Sequence, residues 1–334
     1  MEQLTEQRKN LITGATGKTG VHEFRIEKAG QSIYVKDYPG AAPAMVMVHG
    51  FPDNHRIYDE LAPILSERGQ RVITFDFLGF GDSEKSGTFQ YSFDQQESDL
   101  AAVADALHLK SFIPVAHDAG GPAVINYARK HQDRVSAIVL LNTYYADTPT
   151  LKLPQLIRLS STGWLKPAAE AVMSNTTLRN WLLSYQANQF VADAPEKIRT
   201  KLKSSLLPMI EDNFEKLDSI RGFNLMTGDL NKNVEENRKA VDQLASLEMP
   251  VTLIWGEGDP FLNVGVAKDL AKQFKHAELH LLPLNHWPQV DDPKAVADIL
   301  LPFRTSSQQS DAQIPSSPRA KRSGISNRTR EPAR

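Results

Sequence analysis

Asp118 lies in a short segment, Val115 to Gly121, whose residue types suit a covalent nucleophile. The segment is preceded by an apolar run typical of a strand and followed by a predicted helix. A strand that turns at once into a helix needs small residues two positions before and after its tip, and Ala116 and Gly120 meet that need. A carboxylate at such a tip can attack saturated carbon in epoxides and alkyl halides, and water then hydrolyses the ester. The segment therefore predicts hydrolysis through an ester on Asp118.

Hydrolysis of such an ester needs hydrogen-bond donors for the oxyanion that forms when water attacks. The turn supplies one donor in the backbone N–H of Ala119, directly after the nucleophile. A second donor can come from the loop after an earlier apolar strand, His49-Gly50-Phe51-Pro52, where the N–H of Phe51 is the candidate. We therefore predict an oxyanion hole formed by Phe51 and Ala119.

Two further residues are predicted to activate the water. His286 follows the last predicted strand and is the candidate base, and Asp259 follows the strand before it and is the candidate orienting acid. Glu257, two residues before Asp259, is a competing acid. We predict that Asp118, Asp259 and His286 form a catalytic triad.

The elements that must position these residues alternate between strands and helices along the chain. Apolar runs such as Ala44–Val48 and Val251–Trp255 are typical of strands buried on both faces, and amphipathic helices lie between them. This alternation predicts an α/β fold with a mostly parallel central sheet flanked by helices. In open sheets of this kind, ligands bind at the carboxyl ends of the strands, where the candidate residues lie.

Changes in pattern along the chain predict four parts. Residues 144–247 have a helical pattern throughout and are predicted to be a helical cap, inserted into a core made of residues 21–143 and 248–304. Residues 1–20 are predicted to be a flexible leader. Residues 305–334 are rich in serine, glutamine, proline and arginine, and are predicted to be a disordered basic tail.

Composition excludes several classes of function. The chain of 334 residues has a formal net charge of -2, which disfavours nucleic acid as a partner of the folded core. No apolar run is long enough to span a membrane, and no secretory signal is visible at the start, so we predict a cytoplasmic protein without a membrane partner. Because there is no cysteine, thiolate metal sites are excluded. The glycine-rich run Gly14–Gly20 lacks the flanking strand and helix of a dinucleotide site, so neither a cofactor nor a metal is predicted.

These motifs together resemble those of the α/β-hydrolase superfamily, and within it the epoxide hydrolases and haloalkane dehalogenases. The resemblance covers roughly residues 22–304 and includes the order nucleophile, acid, histidine. It implies the α/β-hydrolase fold with an inserted cap. Asn142 lies where some members carry the orienting acid, but Asp259 is preferred. The resemblance depends on His49-Gly50-Phe51-Pro52, the loop from Asp76 to Ser83, His117-Asp118 with Gly120-Gly121, Asp259, and His286-Trp287.

Departures from two subfamilies favour the epoxide hydrolases. Haloalkane dehalogenases usually hold halide with an asparagine after His-Gly and a tryptophan after the nucleophile, but this chain has Phe51 and Ala119 there. Fluoroacetate dehalogenases use arginines one and four residues after the nucleophile, where this chain has Ala119 and Pro122. The resemblance to epoxide hydrolases implies cap tyrosines that donate to the epoxide oxygen. Tyr185, within Ser184-Tyr185-Gln186, looks like one of them.

The resemblance leaves the second cap tyrosine open, with Tyr144 and Tyr145 as candidates. Together with Tyr185 and His49 they are the predicted substrate-binding residues. Ordinary packing within the cap is the alternative for Tyr185, and a structural role in its loop is the alternative for His49.

The predicted function is hydrolysis of an epoxide to a vicinal diol through an ester on Asp118. A small apolar organic molecule and water are the predicted partners, and the sequence does not indicate an oligomeric state. The first alternative is a haloalkane or haloacid dehalogenase that uses the same triad. The second is a catalytically silent protein of the same fold that binds a small molecule.

Overall fold

A computed structural model describes residues 11–12, 20–86, 89–215 and 217–301. The described strands are β1 (Leu11–Ile12), β2 (His22–Lys28), β3 (Gln31–Tyr38), β4 (Ala41–Val48), β5 (Gln70–Phe75), β6 (Phe112–Asp118), β7 (Ile138–Thr143), β8 (Val251–Gly256) and β9 (Ala277–Leu282). The described α-helices are α1 (Leu61–Glu67), α2 (Phe93–Ala106), α3 (Gly120–Lys130), α4 (Gln155–Ser161), α5 (Lys166–Ser174), α6 (Thr176–Phe190), α7 (Glu196–Lys201), α8 (Leu207–Asp212), α9 (Leu217–Gly228), α10 (Leu230–Arg238), α11 (Val264–Ala271), α12 (Pro288–Asp291) and α13 (Pro293–Leu300).

Within the described ranges the strands form one sheet, in the order β1-β2-β3-β5-β4-β6-β7-β8-β9. From β5 to β9 in this order, neighbouring strands run parallel. At the other edge, β1, β2, β3 and β5 pair antiparallel. The predicted mostly parallel sheet flanked by helices is therefore confirmed.

The central strands are apolar on both faces. Every residue of β7 and β8 is buried, and Val46, Met47 and Val48 at the end of β4 are inaccessible to solvent. Burial of one such side chain stabilises the fold by about 1.5–3 kcal/mol. Burial thus fixes the positions of these strands, and the candidate residues lie at or just after their carboxyl ends.

The chain between β7 and β8 is predominantly helical where it is described, and it contains α4 to α10. These helices occupy the segment that the sequence analysis assigns to a cap. Phe190, the last residue of α6, packs against Trp287 of the core with ring centroids 5.0 Å apart. The inserted helices therefore reach the residues that follow β9.

The predicted terminal segments lie largely outside the described residues. Of the leader, the structure describes Gly20 and β1, whose two residues pair with Arg25 and Ile26 of β2. Within the predicted leader, Leu11–Ile12 thus form a short edge strand of the sheet. The glycine-rich run up to Thr19 and the predicted tail, 305–334, lie outside the described ranges. None of the helices in the described part of the chain combines the length and apolar character needed to cross a membrane.

Candidate active site

Asp118 is the last residue of β6, and α3 begins two residues later at Gly120. Its φ is +47°, a left-handed conformation that is rare and strained for a residue with a side chain. The surrounding residues leave little room for larger side chains. A Cβ on Gly120 would lie 2.7 Å from the carbonyl oxygen of His49, and a Cβ on Gly50 would lie 2.5 Å from the Cβ of Asp118. The hydroxyl of Thr143 also donates to the backbone oxygen of Asp118. These contacts hold the strained turn predicted from the small residues around Asp118.

Asp259 and His286 meet at the carboxyl ends of β8 and β9. Nδ1 of His286 lies 2.6 Å from Oδ2 of Asp259, and both side chains are buried. Because the carboxylate is an acceptor, Nδ1 carries the hydrogen of this bond, and Nε2 is left as the basic atom. Nδ2 of Asn142 donates to the same Oδ2 at 3.0 Å. The structure thus places Asp259 beside His286, whereas Glu257 is exposed.

Opposite charges couple Asp118 to His286. Burial lowers the pKa of His286, but the carboxylates of Asp259, Asp118 and Asp53 outweigh it, and the net pKa is raised. Burial raises the pKa of Asp118, and the charges of His286 and His117 offset only part of that rise. Burial also raises the pKa of Asp259, but its interaction with His286 prevails and the net pKa is lowered. Each ionised group therefore stabilises the opposite charge of the other.

Two backbone donors reach the carboxylate of Asp118. The N–H of Phe51 donates to Oδ2 at 3.3 Å. The backbone N–H of Ala119 follows directly after Asp118, and its interaction with the carboxylate lowers the pKa of Asp118 against the effect of burial. The two predicted oxyanion donors thus lie on the nucleophile, where they can stabilise negative charge at its carboxyl group.

A second buried histidine–carboxylate pair lies beside the triad. Nδ1 of His117 is 3.4 Å from Oδ2 of Asp53, and Nε2 of His117 donates to the backbone oxygen of His286 at 2.9 Å. Nε1 of Trp287 donates to the same Oδ2 of Asp53 at 3.0 Å. Burial raises the pKa of Asp53, but these neighbours outweigh it and the net pKa is lowered. Asp53 is not among the predicted site residues, although its place directly after His-Gly-Phe-Pro was an available signal.

A cavity of about 270 Å³ opens at Asp118 and His286. Most of its wall is apolar, and most of the lining residues belong to the segment between β7 and β8, including Leu156, Leu183 and Phe190. The ring of Phe190 lies 4.4 Å from that of His286. A mostly apolar chamber over Asp118 and His286 suits a small apolar organic ligand.

Tyr144 is the predicted substrate-binding tyrosine that borders this cavity. It is buried, and burial together with the charge of Asp118 raises its pKa well above the usual value. The phenol therefore keeps its proton while Asp118 is ionised.

The structure does not bring Tyr185, the predicted cap tyrosine, to the cavity. Tyr185 is 41% exposed, stacks on Trp181 with ring centroids 5.8 Å apart, and does not border the cavity. The reason is the helical period of α6: Leu178, Trp181 and Tyr185 share its outer face, and the residues between them turn inward. Gln186, the next residue, borders the cavity instead.

Two other predicted substrate-binding residues have structural roles. The hydroxyl of Tyr145 donates to Oδ1 of Asn126 at 2.8 Å, on a buried surface away from the cavity. Nε2 of His49 accepts the N–H of Phe77 at 3.2 Å, and Nδ1 donates to the backbone oxygen of Gly50 at 2.5 Å. Both nitrogens of His49 are thus occupied within the protein, and burial lowers the pKa of this ring. The structure therefore gives both predicted residues hydrogen-bond partners within the protein.

Among the described residues, His55, Asp76 and Asp82 have the spacing of a possible metal site, with ligand atoms within 4.8 Å of one another. The carboxylate of Asp76 already accepts Nδ1 and the backbone N–H of His55, at 2.8 and 2.7 Å, and the N–H of Asp82 at 2.7 Å. These bonds explain the cluster as an anchor for the loop after β5.

Comparison with known proteins identifies relatives over most of the chain. A family model described as alpha/beta hydrolase fold matches residues 43–293. The bifunctional epoxide hydrolase 2 of Sus scrofa is 23% identical over 305 residues, which cover 84% of this chain and 54% of that protein. Haloalkane dehalogenase 2 of Mycobacterium bovis is 31% identical over 132 residues, 40% of this chain and 45% of that protein. The chain thus spans about half the length of these two relatives.

Solved structures share the fold. An alpha/beta hydrolase fold protein from Burkholderia ambifaria superposes with a TM-score of 0.70 at 22% identity, covering 87% of this chain and 100% of that one. The epoxide hydrolase CorEH, solved without ligand, superposes with a TM-score of 0.69 at 19% identity, covering 86% and 99%. At these identities the likeness is one of fold.

Proposed function

The chain belongs to the α/β-hydrolase fold family, and from that premise we propose that it is a hydrolase whose nucleophile is the carboxylate of Asp118 and whose substrate is an epoxide. The observation that carries the proposal is the position of Asp118. Its carboxylate lies at the tip of a strained turn, opens to an apolar cavity, and faces both backbone donors and the His286–Asp259 pair. An ionised carboxylate is a nucleophile for strained C–O bonds.

In the first step, an oxygen of Asp118 attacks one ring carbon of the epoxide. The new bond joins that oxygen to carbon, and the C–O bond of the ring breaks. The oxygen that leaves the ring carries the electron pair and takes the proton of the Tyr144 hydroxyl, which borders the same cavity. The raised pKa of His286 favours its cationic form in the resting site, and this charge favours the ionised form of Asp118 against the effect of burial.

In the second step, the ester on Asp118 is hydrolysed. Esterification removes the negative charge of Asp118, one of the charges that raise the pKa of His286, so the imidazolium loses its proton more readily. That proton restores the Tyr144 phenol and leaves Nε2 of His286 as a neutral base. Nε2 then takes a proton from water as the hydroxide attacks the carboxyl carbon, and the N–H groups of Phe51 and Ala119 hold the oxyanion.

Collapse of this intermediate completes the reaction. The bond between the carboxyl carbon and the substrate oxygen breaks, and that oxygen takes the proton from the imidazolium of His286. The proton left on the carboxyl group of Asp118 passes to Nε2 of His286, which restores the imidazolium and the ionised carboxylate. The sum is addition of one water to the epoxide, and every step uses only residues of the chain, substrate and water.

Carbon–halogen hydrolysis on the same triad is the alternative, favoured by the similarity to haloalkane dehalogenase 2. A halide leaving group needs N–H donors rather than a proton. Nε1 of Trp287, an N–H beside the cavity, already donates to Asp53 at 3.0 Å, whereas the hydroxyl of Tyr144 suits an oxygen leaving group. The proton that the Tyr144 hydroxyl can supply therefore favours the epoxide.

A single-turnover reaction in water labelled with heavy oxygen tests the proposal. With enzyme in excess over an aryl epoxide, the label should enter the peptide that contains Asp118, and the diol formed in that turnover should be unlabelled. Label in the diol alone would mean that water attacks the epoxide directly, and it would overturn the covalent route. Conversion of a haloalkane but of no epoxide would move the protein to the alternative, and conversion of neither by the wild type or by Asp118→Ala would favour a binding protein.

A further inference from the structure

Helix α6 shows one face to solvent and the other to the cavity. The inner face consists of Leu183, Gln186, Ala187 and Phe190, at the spacing of one helical stripe. Gln186 is the polar member of this stripe, and only 6% of it is exposed. A buried amide in an otherwise apolar stripe requires hydrogen-bond partners.

Leu156 fixes the orientation of the Gln186 amide. The N–H of Leu156 belongs to the first turn of α4, where backbone donors have no acceptor within the helix. It lies 3.4 Å from Oε1 of Gln186, and because an N–H can only donate, the amide oxygen must face it. Nε2 therefore points elsewhere, and it has no hydrogen-bond partner anywhere in the described residues.

Gln186 lies on the side of the cavity where the epoxide oxygen should leave the reacting carbon. Asp118 attacks from the core, and in a displacement at carbon the leaving oxygen lies on the side away from the nucleophile. The inserted helix α6 is on that side, since Phe190, one turn beyond Gln186, packs directly on His286. A buried donor without a partner is unfavourable by about 1–3 kcal/mol, and an acceptor oxygen from the substrate relieves this.

We propose that Nε2 of Gln186 donates a hydrogen bond to the ring oxygen of the bound epoxide and strengthens it as that oxygen becomes an alkoxide. This inference rests on the proposed function and adds a catalytic residue to it. The amide keeps its proton, so Gln186 stabilises the developing charge while Tyr144 supplies the proton. The outward-facing Tyr185 has no part in this step.

The test measures the two chemical steps separately in the full-length chain. Gln186→Glu keeps an oxygen for the N–H of Leu156 but replaces the Nε2 donor by an acceptor, and Gln186→Leu removes both groups. Each variant is mixed with an aryl epoxide, and ester on Asp118 is followed by rapid quenching and intact-protein mass spectrometry. We expect ester formation to slow by roughly 10- to 100-fold, as for loss of a hydrogen bond to a charged group. We expect ester hydrolysis to keep its wild-type rate.

Gln189→Glu is the matched control, because it adds the same charge to the same helix at a position that does not border the cavity. It should leave both rates unchanged. Either folded Gln186 variant forming ester at the wild-type rate would overturn the inference. Slowing of both steps together would also overturn it, since it would indicate a displaced α6 and Phe190. Absence of ester in a His286→Gln variant that retains Gln186 would instead count against the proposed function itself.

Discussion

Replacement of Asp259 by asparagine should block ester hydrolysis while ester formation persists. Oδ2 of Asp259 accepts Nδ1–H of His286 at 2.6 Å and Nδ2–H of Asn142 at 3.0 Å. Oδ1 accepts the backbone N–H groups of Phe261 and Leu262 at 2.9 and 3.0 Å. Four donors thus converge on two carboxylate oxygens, and an amide cannot accept from all of them.

The backbone donors decide which way the new amide turns. They cannot become acceptors, so the amide oxygen should take the place of Oδ1 and its NH₂ should face His286. Nδ1 of His286 must then accept, and its hydrogen moves to Nε2, where the ring can no longer take a proton from water. Loss of the correct tautomer reduces turnover by about 10⁴-fold in a serine-protease triad, equivalent to about 5 kcal/mol of barrier.

Rapid-quench mass spectrometry after mixing with an aryl epoxide measures this effect. The Asp259→Asn variant should form the ester on Asp118 as fast as the wild type does. The ester should then accumulate, because its hydrolysis should slow by about 10³- to 10⁴-fold. Glu257→Gln is the matched control, since it removes the same charge from an exposed residue two positions away, and its rates should be unchanged. Ester that decays at the wild-type rate in Asp259→Asn would refute the assignment, and slow decay in Glu257→Gln would move the orienting role to Glu257.

Three further outcomes follow from the same geometry. Tyr144→Phe should slow ester formation by about 10²- to 10⁴-fold, whereas Tyr185→Phe should leave it unchanged; equal rates in both variants would exclude Tyr144 as the proton donor. Asp53→Asn removes a charge that raises the pKa of His286. Because hydrolysis needs the neutral ring and rises with pH through this pKa, its midpoint should shift to lower pH, and an unchanged or higher midpoint would contradict the coupling. Gly50→Ala should lower the melting temperature or abolish activity, since its Cβ would lie 2.5 Å from the Cβ of the nucleophile; wild-type melting and turnover would show that the loop can move aside.

Residues tied to the ends of strands could be predicted from the sequence. Asp118, Asp259 and His286 each follow an apolar run, and parallel strands bring such positions to one edge of the sheet. The donors Phe51 and Ala119 could be placed for the same reason, because both are backbone groups next to those strand ends. The structure brings these five residues together at one end of the cavity.

Side chains on the inserted helices could not be placed in this way. Local sequence identified Tyr185 within a Tyr-Gln pair, but a rotation of about 100° per residue separates the two side chains on a helix. Only the packing of α6 against the core decides that Gln186 faces the cavity and Tyr185 faces solvent. Similarly, the role of His49 depended on Phe77, a residue from another loop, and no local pattern indicates that hydrogen bond.

The carboxylate ester is the central claim, and a His286→Gln variant tests it most directly. Without the base, Asp118 should still attack an aryl epoxide, but the ester should persist. Intact-protein mass spectrometry should then show an added mass equal to the whole epoxide, and peptide mapping should place it on Asp118. If the wild type converts that epoxide while His286→Gln accumulates no adduct, or if the adduct forms equally in His286→Gln combined with Asp118→Ala, the covalent account is contradicted.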